Sequence, residues 1–531
     1  MPYDTAELLL TTGGTRESVD RRFKDNGQRL FIHSGHPNSL EISISNEDAV
    51  ETGIKEAAKL GATYAAVKLS EVEKIEFQVE NNVSRMSVQS IPGAHVRVIV
   101  NGAWGFAGSV ETGREDLKLL AYRAIKLARA NAAVREEPVK LAPNKAVKAR
   151  YETKVQKDPF EIQPKNIFDL LSSCVSEARH QNSLVKSCSA TVSCEREDRL
   201  LGTSEGALIS QKLVRTSGGF TATAAKNGMV QTSGLNSWGN YATKGYEWVE
   251  DMNLVERARA EGRLAAELVE AKRCPEEVTT LIIEGRMLAL QIHETLGHCT
   301  ELDRVLGREV DFVGPIGESF FSPQALGKLW FGSELVNIVA DATIEGGQGT
   351  FAYDDEAVPA KKTYLVKDGI FIGFQSSRET AAVIGLEESS GQFLGTYGYD
   401  HPMVRMTNIN LLPGDCTREE LIEDTGRGML MSGRPTSGHE IFDQRRTTFG
   451  FCAGTAWRIE NGELTKLYRD PTYYGVTTPF WRSCDGISKD NWFAYGGGCG
   501  KGRPGQNGRV GHFCSSARFR NVHVGGGGVS E

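Results

Sequence analysis

Long apolar runs are missing from this chain of 531 residues. Its most apolar stretches, Leu281 to Ile283 and Met287 to Leu290, are interrupted by Glu284 and Arg286. A helix that crosses a bilayer needs about 20 consecutive apolar residues, so a channel built of such helices is excluded. The opening segment, Met1-Pro-Tyr-Asp-Thr-Ala-Glu7, has no basic stretch followed by an apolar core. It reads without a secretory signal, and the cytoplasm is the expected compartment. Closely spaced cysteines are lacking too: ten are scattered from Cys174 to Cys514, unlike the disulfide framework of a small secreted domain. Basic charge is not in excess, with 61 Lys and Arg against 68 Asp and Glu and a net charge of −7. With no basic stripe to neutralise phosphates, direct nucleic-acid binding is not expected. What the chain has in plenty is glycine, 58 of 531 residues, about 11% against a usual 7% or so. Twelve of them fall in the 33 residues from Gly496 to Gly528, around Cys499.

The pattern along the chain predicts an α+β protein, with an amino-terminal region of antiparallel sheet and flanking helices and a mostly-β carboxy-terminal region. Residues 1–45 are polar, turn-rich and aperiodic, and read as an extension. Asn46 is positioned to cap a first helix carrying Val50, Ile54, Ala57 and Ala58, which Gly61 stops. Three strand-like runs follow: Thr63 to Leu69, the alternating Ile75, Phe77 and Val79, and Val83 to Val88. Val96, Val98 and Val100 then lead into the hairpin dipeptide Asn101-Gly102. That pattern predicts an antiparallel meander with one wet face. Helical periodicity recurs at about 112–131, at Ile167 to Ala178 and at Met252 to Lys272, and residues 186–245 read as short strand pieces. Cys274-Pro275 sets the expected boundary between a 46–273 domain and a 274–531 domain. Beyond it the expectation is strand and turn, with one buried apolar helix and a short one near Arg418 to Met431.

The buried helix carries His293-Glu294-Thr-Leu-Gly-His298. Histidines four apart lie about 40° apart on a helix face, whereas five apart gives about 140° on a straight helix. Both imidazoles can meet one ion if the helix is widened or broken, and Gly297 is the residue that permits it. The residues alone leave two readings: hydrogen-bonded core histidines, or a divalent metal site needing a third donor and an open position for water. Glu294, Glu301 and His298 form one alternative ligand set. Cys484, Cys499, Cys514, His401, His439, His512 and His523 are the other available donors.

His293 to Asp303 (HETLGHCTELD) resembles the HExxxH helix of the TldD/PmbA metallopeptidases, specifically the metal-bearing TldD type. The resemblance continues through Val339-Ala-Asp-Ala-Thr343, Tyr353-Asp-Asp-Glu-Ala-Val-Pro359, Pro402-Met-Val-Arg-Met-Thr-Asn408, Gly498-Cys-Gly-Lys501 and Pro504-Gly-Gln506. Gly61-Ala-Thr-Tyr-Ala-Ala-Val-Lys68 and Gly102-Ala-Trp-Gly-Phe106 are similar as well. It implies one zinc ion per chain held by His293, His298 and Cys499, with Glu294 as the general base that takes a proton from the zinc's water. It further implies hydrolysis of unfolded or small peptides inside a dimer, formed with a PmbA/TldE-like subunit or a second copy. The alternative is a non-hydrolytic binding or regulatory subunit of a peptide-handling or gyrase-modulating complex. Two segments, 390–399 and 432–449, depart from the family's usual pattern and bear on substrate preference. Asp354, Asp355 and Glu356 read as residues that line the active-site cavity or orient a histidine, or equally as a solvated acidic turn.

Overall fold

The computed structural model describes residues 31–33, 44–235, 239–309, 318–433, 441–490 and 493–526. Most of the expected extension lies outside them; its described strand β1 (Phe31–His33) adds in parallel to the edge of the first sheet. Helix α1 (Ile44–Lys59) begins two residues before Asn46, which therefore sits inside it rather than capping it. Gly61 ends the helix with a φ of +97°, the left-handed conformation a glycine takes without steric cost.

The first sheet is built from strands far longer than the sequence pattern suggested. β2 (Tyr64–Glu80) and β3 (Val83–Val100) pair throughout, and β4 (Ala103–Ser109) follows across the Asn101-Gly102 turn, both residues with positive φ. The expected short pieces of residues 186–245 are instead β6 (Val185–Thr203) and β7 (Leu208–Lys226), each of 19 residues, followed by β8 (Met229–Leu235). With β5 (Lys148–Glu152) they give the spatial order β1-β3-β2-β6-β7-β5, β4 beside β3 and β8 beside β7. Ser, Thr and Gly disguised these strands, although the apolar Cys188, Ala190, Val192 and Cys194 alternate cleanly along β6. Gly218 in mid-β7 is needed for space, since a Cβ there would lie 3.0 Å from Leu254 on α5.

One face of the sheet is covered by helices. α1 and α2 (Arg114–Ala132) pack on Val67, Leu69, Val96 and Val98. α3 (Pro164–His180) and α5 (Leu254–Glu270), which follows the short α4 (Glu247–Asp251), pack on Phe77, Val192 and Ala222. The opposite face, expected to be wet, is buried against the carboxy-terminal half and carries charge. Lys68, His95, Arg97, Glu195, Glu197, Arg199 and Arg215 on it are all under 8% exposed. The predicted acidic turn is what meets them: Lys68 Nζ lies 2.8 Å from Asp355, and Arg97 lies 2.8 Å from Glu356. Asp355 and Glu356 therefore clamp the two halves together, while the buried Asp354 accepts from the Glu356 and Val358 N–H groups, and the turn is not solvated.

The carboxy-terminal half centres on β10 (Glu277–Ile283), reached through the two-residue β9 (Lys272–Arg273). β10 lies between the antiparallel strand Ala517–Gly526 and the parallel strand Arg427–Ser432 in a ten-stranded sheet. The short helix expected near Arg418 to Met431 stops at Glu423, because the residues beyond it pair with β10. The molecule is thus α+β, and no helix among the described residues is long and apolar enough to cross a membrane.

Removing one partner of a buried ion pair strands the other, at about 3–5 kcal/mol. Lys68→Met is therefore expected to lower the denaturation midpoint sharply, and Lys68→Met with Asp355→Leu to recover most of the loss. Burial alone would raise the Asp355 and Glu195 carboxyls, but Lys68 holds the first below its usual range, and Arg509, Arg215 and Lys74 hold the second at about 2. Depressed carboxylates contribute stability above their unfolded pKa and lose it as pH falls through the folded value. Acid unfolding followed by near-ultraviolet circular dichroism should accordingly fall between about pH 4 and pH 2, and in Lys68→Met at higher pH.

Candidate metal centre

Helix α6 (Gly285–Ile292) leaves the end of β10 and enters the core, with Met287, Leu288, Ala289 and Ile292 at most 1% exposed. At His293 the helix widens. Residues His293–Gly297 form a π turn in which the His298 N–H donates to the His293 carbonyl five residues back, and His298–Thr300 tighten into a 3₁₀ turn. The extra residue between the histidines is absorbed there, and the two imidazoles come together with ring centroids 4.9 Å apart. Gly297 is the enabling residue, but for a different reason from the one expected. Its φ of −51° is ordinary helix; what it supplies is space, because a Cβ would stand 2.2 Å from Met406 Sδ. Gln375 secures the turn by donating from Nε2 to the Gly297 carbonyl (2.6 Å) and to Thr300 Oγ1 (3.0 Å).

Cys499 arrives from the glycine-rich stretch, which is a regular hairpin of strands Phe493–Lys501 and Gln506–Cys514 with Cys499 opposite Gly508. Gly502 alone among the described glycines of the stretch takes a positive φ. The others allow close approach: a Cβ on Gly496 would lie 1.9 Å from the Tyr241 carbonyl, and one on Gly511 would lie 2.1 Å from Asn408 Oδ1. The glycine excess thus serves dense packing in an ordered hairpin rather than a loose backbone.

The ligand atoms of His293, His298 and Cys499 all lie within 4.8 Å of one another, the group of His, Cys, Asp or Glu among the described residues that converges in this way. Cys499 Sγ is already 3.2 Å from His298 Nε2. A tetrahedral ion with bonds of about 2.0–2.3 Å sets its donors about 3.3–3.8 Å apart, so the set fits with small closure. Hydrogen bonds fix the tautomers. His512 Nδ1 lies 2.9 Å from the Ile409 carbonyl, which can only accept, so His512 Nε2 is an acceptor. His293 Nδ1 then donates to it at 2.8 Å, leaving His293 Nε2 with its lone pair. His298 Nδ1 donates to Glu301 at 2.8 Å, leaving His298 Nε2 toward the thiol. These are the orienting partners that metal-ligating histidines use.

Burial, reinforced by Arg304, Arg446, Lys501 and Arg405, holds His298 neutral, its pKa well below the ordinary value. Burial pushes the Cys499 thiol up to about 12, with Arg405 and Lys501 pulling the other way. A metal ion would exchange that thiol proton for a bond. Glu301 also accepts from the wholly buried Lys501 (3.1 Å), which contacts Asp303 at 2.8 Å and Glu309 at 3.3 Å. Glu294 is 8% exposed, with Arg446 Nη2 3.4 Å from its Oε2. Arg446 belongs to the departing segment 432–449, has a φ of 64°, and stacks on Phe442 at 3.4 Å. Residues 434–440, His439 among them, lie outside the described residues.

The remaining donors are elsewhere. Cys484 and Cys514 are core thiols, His401 packs on Phe106, and His523 on Tyr474. His512 touches His293 as a support. The roles of Gln375, Lys501 and Arg446 carried no signal in the sequence beyond the Gly498-Cys-Gly-Lys501 motif.

Three family models match successive parts of the chain: PmbA/TldA metallopeptidase domain 1 at residues 65–132, the central domain at 157–272 and the C-terminal domain at 276–526. A protein of Methanocaldococcus jannaschii named a metalloprotease is 32% identical over 77% of this chain and 85% of its own length. A zinc metalloprotease TldD homolog of Saccharolobus solfataricus is 24% identical over 89% of this chain and 99% of its own. Among solved structures, TldE from Thermococcus kodakarensis shares the fold with a TM-score of 0.70 over 90% of this chain and 100% of its own, at 20% identity.

Loss of an orienting partner typically weakens metal binding about 10–100-fold. His512→Ala, which removes the acceptor without overpacking the buried site, should lower zinc affinity by that factor in a competition titration with a chelator, on protein shown to be folded by circular dichroism. Unchanged affinity would show that His512 does not orient His293.

Proposed function

The chain belongs to the PmbA/TldA metallopeptidase family, and from that premise we propose that it is a zinc-dependent peptidase of the TldD type acting on unfolded or small peptides. The observation that carries the reading is the convergence of the ligand atoms of His293, His298 and Cys499, with Glu294 next in sequence to His293. His293, His298 and Cys499 would hold one zinc ion per chain, and the naming of a TldD homolog as a zinc metalloprotease supports that choice of metal. Zinc bound there supplies Lewis-acid polarisation of the scissile carbonyl and lowers the pKa of a water.

The protein's own groups do the rest. Glu294, adjacent in sequence to His293 but not needed as a ligand, takes the proton of the attacking water and returns it to the leaving amine. Arg446 at 3.4 Å fixes the direction of that carboxylate. Gln375 and Glu301 hold the widened turn and the His298 ring so that neither moves as charge develops. An extended peptide would be gripped by main-chain pairing to a strand edge, a mode that reads backbone rather than side chains and therefore suits unfolded substrates. The partner would be a second chain of this fold, a copy or a TldE-like homologue.

Glu294→Gln is expected to retain one zinc per chain and lose about 10²–10⁴-fold in hydrolysis of an unfolded peptide, while His298→Ala and Cys499→Ser lose zinc and hydrolysis together. Metal analysis beside a peptide digest reads both. Full activity in Glu294→Gln would sink the mechanism, and a zinc-loaded chain that cuts no unfolded peptide, alone or with a homologous subunit, would make it a binding subunit instead.

A further inference from the structure

A cavity of about 30 Å³ lies between the charged face of the first sheet and the Cys499 hairpin. That is room for about two waters, or for one carboxylate group. Arg199, Arg215, Arg405 and Arg509 line it together with Glu197 and Gly508. Four guanidiniums thus face two carboxylates, Glu197 and the neighbouring Glu195. Arg215 is committed to both, at 2.9 Å and 3.1 Å. Arg509 contacts Glu195 and donates to the Thr396 carbonyl at 2.9 Å, and Arg199 donates to the Tyr353 carbonyl at 2.9 Å. Donors are left over: Arg405 Nε and Nη1, Arg509 Nη2 and Arg199 Nε are buried with no protein acceptor. Arg405 is 3% exposed and Arg199 is 4% exposed.

The cavity also has a fixed relation to the metal centre. Gly508 faces Cys499 across the antiparallel hairpin, so their side-chain positions share one face and stand about 5 Å apart. The guanidinium of Arg405 occupies the place of the absent Gly508 side chain, since a Cβ there would lie 2.4 Å from Arg405 Nη2. That same Nη2 donates to the Cys499 carbonyl. Arg405 therefore holds the strand that carries Cys499 through Nη2 and leaves Nε and Nη1 without a protein acceptor. A carboxylate can accept charge-assisted hydrogen bonds from several such guanidinium donors at once. The small volume and the nearby Glu197 disfavour a tetrahedral dianion.

We propose that this cavity is a recognition site for a carboxylate of the peptide substrate, seated on Arg405 with Arg199 and Arg509, one residue's length from the metal centre. The proposal rests on the peptidase reading and names the substrate chemistry that reading leaves open. The carboxylate belongs either to the peptide's carboxy terminus or to an Asp or Glu side chain.

The test uses the full-length zinc-loaded Glu294→Gln protein and three acetylated tripeptides: one with a free terminal carboxylate, one amidated, and one amidated but carrying a Glu side chain. Isothermal titration should show at least tenfold tighter binding of one carboxylate peptide over the plain amide, and which one identifies the source. Arg405→Gln should abolish that preference when compared at equal, measured zinc content. Arg405→Lys, which keeps the charge but not the planar guanidinium, should restore part of it. Should Arg405 variants fail to fold, loss of the preference in Arg199→Gln supports the same site. Equal binding of all three peptides would overturn the proposal, leaving water alone in the cavity. In the unsubstituted protein, hydrolysis without any carboxylate preference ends the site and spares the peptidase reading. Carboxylate preference without hydrolysis does the reverse.

Discussion

Two side chains five residues apart on a regular helix point about 140° away from each other, and the cluster of His293, His298 and Cys499 forms because the backbone gives way to that angle. The π turn at His293–Gly297 brings the imidazoles onto one side, and each feature around it answers a cost of the widening. The loosened Gly297 carbonyl would be a buried acceptor with a weakened helical partner, and Gln375 takes it. Met406 lies where a side chain at position 297 would stand. The Trp481 indole donates to Thr295 at 3.0 Å, pinning the turn from the core side. A π turn without these contacts would revert to α-helix and separate the two rings.

The second constraint is charge out of water. The polar face of the first sheet and the acidic turn at Asp354–Glu356 are both buried, and a buried charge is tolerated only when paired and hydrogen-bonded. Lys68 with Asp355, Arg97 with Glu356 and Arg215 with Glu195 and Glu197 meet that condition with direct contacts of 2.8–3.1 Å. Such pairs add little net stability over apolar packing, but they tolerate no misregister, because a shift of one residue would turn every charge to the helix-covered face. They are best understood as fixing how the carboxy-terminal half seats on the sheet.

The sequence made the helices, the Asn101-Gly102 turn, the HExxxH segment and Cys499 legible, since each has a local signature in period, turn chemistry or motif. The long β6 and β7 strands were hidden because one face is helix-covered and built of small residues while the other is charged, so neither looks like a strand core. The burial of Lys68 and Arg97 is equally invisible, as their partners lie more than 250 residues away. The glycine excess marks the stretch that carries Cys499. Glycine permits both loose loops and dense backbone contact, and only the neighbours Tyr241, Arg405 and Asn408 decide between them.

Those neighbours also show why the His293, His298 and Cys499 cluster depends on both halves of the molecule. The strand that carries Cys499 is not held by its own sheet alone: the Tyr241 N–H donates to the Gly496 carbonyl at 3.0 Å, and Arg509 on the returning strand reaches Glu195 on β6. Arg405, from the stretch between them, grips the Cys499 carbonyl. The histidines are fixed by the carboxy-terminal core, whereas the thiol is fixed partly by the first sheet. The distance between donors is consequently set by how the two halves seat on one another. The buried charge pairs and the candidate metal cluster are one mechanical system, in which a change to the interface far from His298 acts on the position of Cys499.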